Sequence, residues 1–457
     1  MYMRGYAGMT VSEAVAAARA ALVTWSATPI ADREDIARRF AEVVQAHRDE
    51  LVLAICEETG KPKWESHTEV DSMIAKVAIS IEARASRRNP SEQIVAGATN
   101  AVRYKPLGVA VVLGPFNFPG HLPNGHIVPA LLAGNTVVFK PSELAPRVGE
   151  MMVRYWHEAG SPAGAINLVQ GRREVGEALV AHPDINAVFF TGSFAGGRAI
   201  SRTLADRPGV ITALEMGGNN PLIVHGVSDP RAAAYLTIQS AFISAGQRCS
   251  CARRLIVPAG NDAFIETLVA MMGRIRVGRF TEEPEPFMGP VINEAAAERL
   301  LAAQRDLVAR GGKMIVEMKP VEGESRALLR PGLIDVTGVA DRADEELFGP
   351  LLQLIRVKDS DSAIREANNT AYGLAAGLFC DNRALYERFF RASRAGVVNW
   401  NRALTGASSR LPFGGVGRSG NGRPGAYFAS DYCDYAVASM EVEKVEMPGK
   451  VVAGLGV

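Results

Sequence analysis

Between residues 11 and 87 apolar side chains recur at helical spacing. An alanine-rich stretch predicts a helix over 11–25, and Ile36, Phe40, Val43, Val44, Leu51 and Ile55 mark the apolar face of a longer one over 31–59. Gly60-Lys61-Pro62 ends it, because glycine closes a helix and proline cannot continue one. A third helix is predicted over 64–87, stopped at Asn89-Pro90. From residue 101 the period changes. Val109-Ala110-Val111-Val112-Leu113, Thr136-Val137-Val138-Phe139-Lys140, Ala165-Ile166-Asn167-Leu168-Val169 and Ala187-Val188-Phe189-Phe190 read as buried strands, with helices near 121–133, 147–160 and 173–181 between them. Strands apolar on both faces and spaced by helices predict a parallel sheet covered on both sides. That is a doubly wound α/β unit, which binds ligands at the carboxyl ends of its strands. Pro221-Leu222-Ile223-Val224 leads into a second α/β unit, with a helix from near Asp229, a strand at 255–257 and helices over 262–275 and 293–311. The tail over 432–446 starts strand-like and has no core of its own, so it is expected to pair with a partner subunit.

Length and charge narrow the class. A chain of 457 residues has ample core for more than one domain. Lys+Arg 50 against Asp+Glu 49 leaves +1, which gives no electrostatic case for nucleic acid or an anionic membrane. Five scattered cysteines fit a reducing compartment, and Cys249-x-Cys251 without a second pair makes no metal site. No apolar run approaches a membrane span, and residues 1–6 lack the apolar core of a leader, so a cytoplasmic protein is expected.

Candidate chemistry gathers at four places. Gly246-Gln247-Arg248-Cys249-Ser250-Cys251 is a small-residue turn that delivers one thiol. Cys249 reads equally as a nucleophile, which needs thiolate character, or as a small buried hydrophobe. Lys140 and Glu143, after the second strand, are a cation and an acceptor suited to a nucleotide. Thr191-Gly192-Ser193-Phe194-Ala195-Gly196-Gly197 opens a helix, where glycines admit a phosphate; an ordinary tight turn fits as well. Glu215, before Gly217-Gly218, is either a solvated turn residue or a base with room for water. A glycine-dense loop from Pro412 to Gly425 is expected to close over something.

Pro115-Phe116-Asn117-Phe118-Pro119, Lys140-Pro141-Ser142-Glu143, Phe190-Thr191-Gly192-Ser193, Leu214-Glu215-Met216-Gly217-Gly218, Gly246-Gln247-Arg248-Cys249, Glu346-Leu347-Phe348-Gly349-Pro350 and Pro412-Phe413-Gly414-Gly415 occur in that order. In this the chain resembles the aldehyde dehydrogenase superfamily from about residue 10 to 440. The resemblance implies an aldehyde dehydrogenase-like α/β fold: two doubly wound parallel-sheet domains plus a small oligomerisation segment. Its parts would be a Rossmann-like NAD-binding domain over 1–225 with oligomerisation strands near 90–106, a catalytic cysteine domain over 226–411, and a return to the cofactor domain with an oligomerisation tail over 412–457.

The resemblance also implies roles. Cys249 attacks the aldehyde, Asn117 and the Cys249 backbone N–H hold the oxyanion, and Glu215 activates water to hydrolyse the thioester. NAD is the cofactor. Lys140, Ser142 and Glu143 hold its adenosine ribose, the turn of Gly192, Ser193, Phe194, Ala195, Gly196 and Gly197 follows its pyrophosphate, and Glu346 and Phe348 position its nicotinamide end. The partner is a small-molecule aldehyde, with no nucleic acid and no membrane, and the assembly a homodimer or homotetramer. The stretches 117–126 and 246–254 look most like members that oxidise N-succinyl-L-glutamate 5-semialdehyde in arginine catabolism, with succinic or glutamic semialdehyde as the alternative. Succinic semialdehyde enzymes commonly carry an arginine where this chain has Ile243. Catalytically silent members and coenzyme-A-acylating members are disfavoured by Cys249, Glu215 and Asn117 standing together. His121, Arg248 and Arg410 are the expected contacts to the acidic substrate. One departure is that superfamily members usually carry a longer N-terminal stretch, with strands packed on the cofactor domain.

Overall fold

The computed structural model describes residues 9–447 and 450–455. The reading of residues 1–6 as no leader lies outside them. The first helix, Val11–Ala27, begins with a capping box: the Thr10 hydroxyl accepts from the Glu13 N–H while the Glu13 carboxylate accepts from the Thr10 N–H. The long helix expected over 31–59 is two, Ile30–Ala46 and Arg48–Thr59, broken at His47. Periodicity misses this break because the apolar stripe continues through it, from Phe40 and Val44 to Leu51 and Ile55, all fully buried. At the break the His47 ring stacks on Tyr155 at 4.9 Å. Gly60 closes the second helix with φ 74°, and Lys63–Arg87 follows Pro62.

Five parallel strands make the first sheet, in the order Ile166–Leu168, Thr136–Lys140, Val109–Leu113, Ala187–Gly192 and Ile211–Met216. Strand alternation divides its side chains between two cores. Ala110, Val112, Val137 and Phe139 pack with Phe40, Tyr155 and Trp156 on one face; Val111 and Val138 pack with Leu179 and Ile200 on the other. Burial on both faces is the reason these strands are apolar throughout.

The second sheet has seven strands, in the order Lys313–Val316, Gly332–Asp335, Leu351–Val357, Ala252–Pro258, Asn220–Val224, Ala375–Phe379 and Val397–Trp400. Only its edge strand Lys313–Val316 is antiparallel. The chain changes sheets between Met216 and Asn220, directly after Glu215. A third, antiparallel sheet joins Ser91–Val95, Ala98–Pro106 and Asp434–Glu441. The tail therefore finds its first strand partner within its own chain, with Asp434 opposite Pro106 and Glu441 opposite Thr99.

Among the described residues no single helix is long and apolar enough to cross a membrane. Val11–Ala27 and Ile30–Ala46 pass on length and composition only as a pair bent by 117°. Both turn large side chains, Trp25 and Phe40, into the protein interior.

Candidate active site

Cys249 owes its position to a strained turn. After the helix Pro230–Phe242 the chain makes the short 3-10 turn Ile243–Gly246, in which Ser244, Ala245 and Gly246 take φ of 55°, 53° and 71°. Left-handed backbone at two non-glycine residues persists only where the surroundings enforce it. Here they do: a Cβ on Gly246 would lie 2.1 Å from the Gly349 carbonyl oxygen, so the two loops meet backbone to backbone. The buried Arg253 guanidinium donates to the carbonyls of Gly246 at 2.6 Å and Arg248 at 2.9 Å. Asn220 donates to the carbonyls of Cys249 at 2.7 Å and Cys251 at 2.9 Å. Cys249 is left part-exposed, whereas Cys251 is fully buried.

Cys249, Glu215 and Asn117 line one open cavity. Asn117, in the loop after Val109–Leu113, donates through Nδ2 to the Gln247 carbonyl at 2.9 Å. Glu215 sits near the carboxyl end of Ile211–Met216 and is 7% exposed. Burial pushes its carboxyl up to about 7, against the opposing pull of Lys76 and the Gly425 N–H. The Cys249 thiol is pushed up to about 12, first by burial and then by the charges of Glu346 and Glu215; Arg253 opposes this weakly. Burial thus holds the resting nucleophile candidate toward its thiol form.

The residues expected to meet an acidic substrate divide. Arg248 lines the cavity, but its guanidinium is engaged by Glu65 at 2.8 Å and by the Ser244 hydroxyl at 2.8 Å. His121 also lines it, and burial pushes its ring down to about 3, which favours the neutral imidazole over a cation. Arg410 is not brought to the cavity. It is exposed and paired with Glu82 at 2.5 Å. Its side chain instead meets a charge on the helix Lys63–Arg87.

Sequence reasoning missed Lys76 and His126. Lys76 follows Thr68 and Ser72 at helical spacing along Lys63–Arg87, and all three line the cavity. A lysine between the buried Met73 and Val77 was the available signal. His126 bridges the Tyr432 hydroxyl at 2.9 Å and the Thr191 hydroxyl at 3.3 Å.

The residues expected to hold a dinucleotide lie at strand ends and at one helix N-terminus. Lys140 ends its strand with Nζ 3.9 Å from Glu143, and burial holds its ammonium below the usual lysine range. Ser142 accepts from the Leu144 N–H at 3.2 Å. Gly192 ends the adjoining strand, and Ser193 caps the helix Phe194–Thr203 by accepting from the Gly196 N–H at 3.2 Å. The first-turn N–H groups of that helix, Phe194 and Ala195 among them, lack helical acceptors and suit an anion. Gly197 packs on Met216. Glu346 accepts from the Gly218 N–H at 3.2 Å, and a Cβ on Gly217 would fall 1.7 Å from its carboxylate. Phe348 meets Phe116 edge-on at 6.0 Å. A buried cation, a carboxylate, a helix N-terminus and a second carboxylate near Cys249 are groups whose chemistry fits a nicotinamide dinucleotide.

A sequence profile described as "Aldehyde dehydrogenase family" matches residues 3–437. The chain is 55% identical over 454 residues to the N-succinylglutamate 5-semialdehyde dehydrogenase of Ectopseudomonas mendocina (strain ymp), covering 99% of this chain and 93% of that one. Its fold is similar to the crystal structure of an NAD-dependent aldehyde dehydrogenase from Sinorhizobium meliloti, with a TM-score of 0.90, 28% identity and coverage of 96% and 88%. It is also similar to an NADP-dependent glyceraldehyde-3-phosphate dehydrogenase from Bacillus halodurans C-125 complexed with NADP, with a TM-score of 0.88, 29% identity and coverage of 94% and 90%.

Proposed function

Because the chain belongs to the aldehyde dehydrogenase family, we propose that it oxidises N-succinyl-L-glutamate 5-semialdehyde to N-succinyl-L-glutamate, with NAD as hydride acceptor, in arginine catabolism. The observation that carries the chemistry is one part-exposed thiol, Cys249, sharing a cavity with one buried carboxylate, Glu215. The choice of substrate rests on the 55% identity to an enzyme of that name.

Cys249 attacks as the thiolate, its proton released to solvent, and forms a carbon–sulfur bond to the aldehyde carbon as the carbonyl π bond opens. The oxyanion produced is held by the second hydrogen of the Asn117 amide and by the Cys249 N–H. What bound NAD supplies is acceptance of the hydride, which leaves a thioester on Cys249. Glu215 takes one proton from a water whose oxygen attacks that thioester; the carbon–sulfur bond breaks and the sulfur is reprotonated. A carboxylate near 7 suits this work, because an ordinary surface glutamate is too weak a base.

In this reading Lys140, Ser142 and Glu143 hold the adenosine ribose, the turn from Gly192 to Gly197 follows the pyrophosphate, and Glu346 and Phe348 hold the nicotinamide end. Glu143 favours NAD, since a 2′-phosphate there meets a like charge. The first sheet, which ends at Met216, belongs with 412–447 to the cofactor domain, and the second sheet, from Asn220 onward, to the cysteine domain. The enzyme works in the cytoplasm as a homodimer or homotetramer. Exposed Ile94, Tyr435 and Met440 on the three-stranded sheet support a surface that a second copy covers.

The test is catalytic efficiency with each dinucleotide on N-succinyl-L-glutamate 5-semialdehyde, succinic semialdehyde and an uncharged aldehyde. The succinylated compound with NAD is expected to be turned over best. Faster turnover of either other aldehyde overturns the substrate, and preference for NADP overturns the role of Glu143.

A further inference from the structure

Two buried lysines on or beside the helix Lys63–Arg87 have opposite fates. Lys61 is tied to the buried carboxylate of Glu69. Lys76, 3% exposed, makes no ion pair with any described residue, and its side chain reaches the cavity past Gly125. Thr68, Ser72 and Lys76 form a stripe along that helix which runs from an exposed threonine to a buried ammonium, so the charge lies at the closed end. An unpaired buried ammonium is costly, and such a group is retained where a second charge compensates it.

We propose that Lys76 is the positioning residue for Glu215, its ammonium holding that glutamate as a carboxylate ready to take the proton of the attacking water. This rests on the role proposed for Glu215 above. The groups that face Glu215 leave few alternatives. His121 and His126, on the helix His121–Leu132, are pushed down to about 3 and stay neutral. Tyr432 is pushed well above its ordinary value by burial and stays a phenol. Cys249, pushed up to about 12, is a thiol at rest. Glu346, across the thiol, is itself pushed up by burial. Arg248 is occupied by Glu65. Lys76 keeps its proton up to about 8 and pulls Glu215 down while Glu215 pulls it up. Gly425 contributes only a backbone N–H. Neutralising Lys76 therefore raises the Glu215 carboxyl, so the base form is depleted near neutrality and returns at higher pH.

The test is single-turnover deacylation of Lys76→Met and Lys76→Arg, with the acyl-enzyme quenched and weighed at pH values from about 5 to 9. In Lys76→Met the acid limb of the deacylation rate is expected to move up by about one pH unit or more, slowing the step about fivefold or more at neutral pH. NADH burst amplitude and aldehyde KM should stay within about twofold, and Lys76→Arg should keep the limb near its original place. An unmoved limb in a folded Lys76→Met enzyme overturns the proposal. So does a raised KM with deacylation intact, which makes Lys76 a substrate contact. If Lys76→Met does not fold, a Lys76→Arg limb displaced as far as that of a Lys76→Gln enzyme overturns it equally. A wild-type enzyme that forms no acyl adduct instead removes the role of Glu215 itself, an outcome separate from all of these.

Discussion

The Asn117 amide donates to the carbonyl of Gln247 across 2.9 Å, tying the loop after the strand Val109–Leu113 to the turn that bears Cys249. One amide hydrogen holds the turn, and the proposed mechanism gives the other to the oxyanion. Asn117→Ala should therefore lower kcat about 10²–10³-fold. Its stability should fall by only about 1 kcal/mol, the worth of one hydrogen bond. Steady-state kinetics beside thermal unfolding separates the two. A kcat within about threefold of wild type removes Asn117 from the reaction.

Cys249→Ala should abolish aldehyde oxidation, and Cys251→Ala should keep most of it. Cys251 is fully buried, two residues into the packed segment, and losing its sulfur should cost about 1 kcal/mol of stability through the small void left behind. Assays of both variants decide the matter. Turnover retained by the first, or lost equally by both, sinks the assignment of the nucleophile.

Because burial and two carboxylates push the Cys249 thiol up to about 12, little thiolate exists near neutral pH in the free enzyme. Alkylation of Cys249 by iodoacetamide should be slow at neutral pH and keep climbing beyond pH 9 or so, above an ordinary cysteine's pKa of about 8.5. A rate that levels off below about pH 8 means the thiol is activated in the free enzyme after all.

Arg410→Leu should leave KM for the succinylated aldehyde within about twofold and unfolding almost unchanged, since solvent screens an exposed ion pair. Arg248→Leu strands the fully buried Glu65 carboxylate and should cost about 3–5 kcal/mol of stability. KM values and melting curves for the two variants provide the comparison. A substrate-selective rise in KM for Arg410→Leu restores it to the site.

How much was legible followed from what each residue needs. The first sheet was readable because burial on both faces makes its strands apolar at every position, as in Val109–Leu113. The approach of Cys249, Glu215 and Asn117 was readable only through ordered motifs, since the three lie on separate elements. The break at His47 left no trace in the apolar stripe. Arg410 lies with its side chain on Glu82, 328 residues away, a pairing that no local pattern announces. Lys76 was passed over because its helix reads as an outer packing layer. A lysine on the buried side of such a helix is a polar group that must be compensated, and that was the signal to follow.

The central claim is that Cys249 carries the acyl group and Glu215 releases it. The most direct measurement mixes Glu215→Gln with N-succinyl-L-glutamate 5-semialdehyde and NAD, follows NADH, and then weighs and fragments the protein. The expected result is a burst of about one NADH per active site, then a stall, with an N-succinylglutamyl adduct on Cys249 and none on Cys251. Steady turnover without an adduct, or neither burst nor adduct, contradicts it.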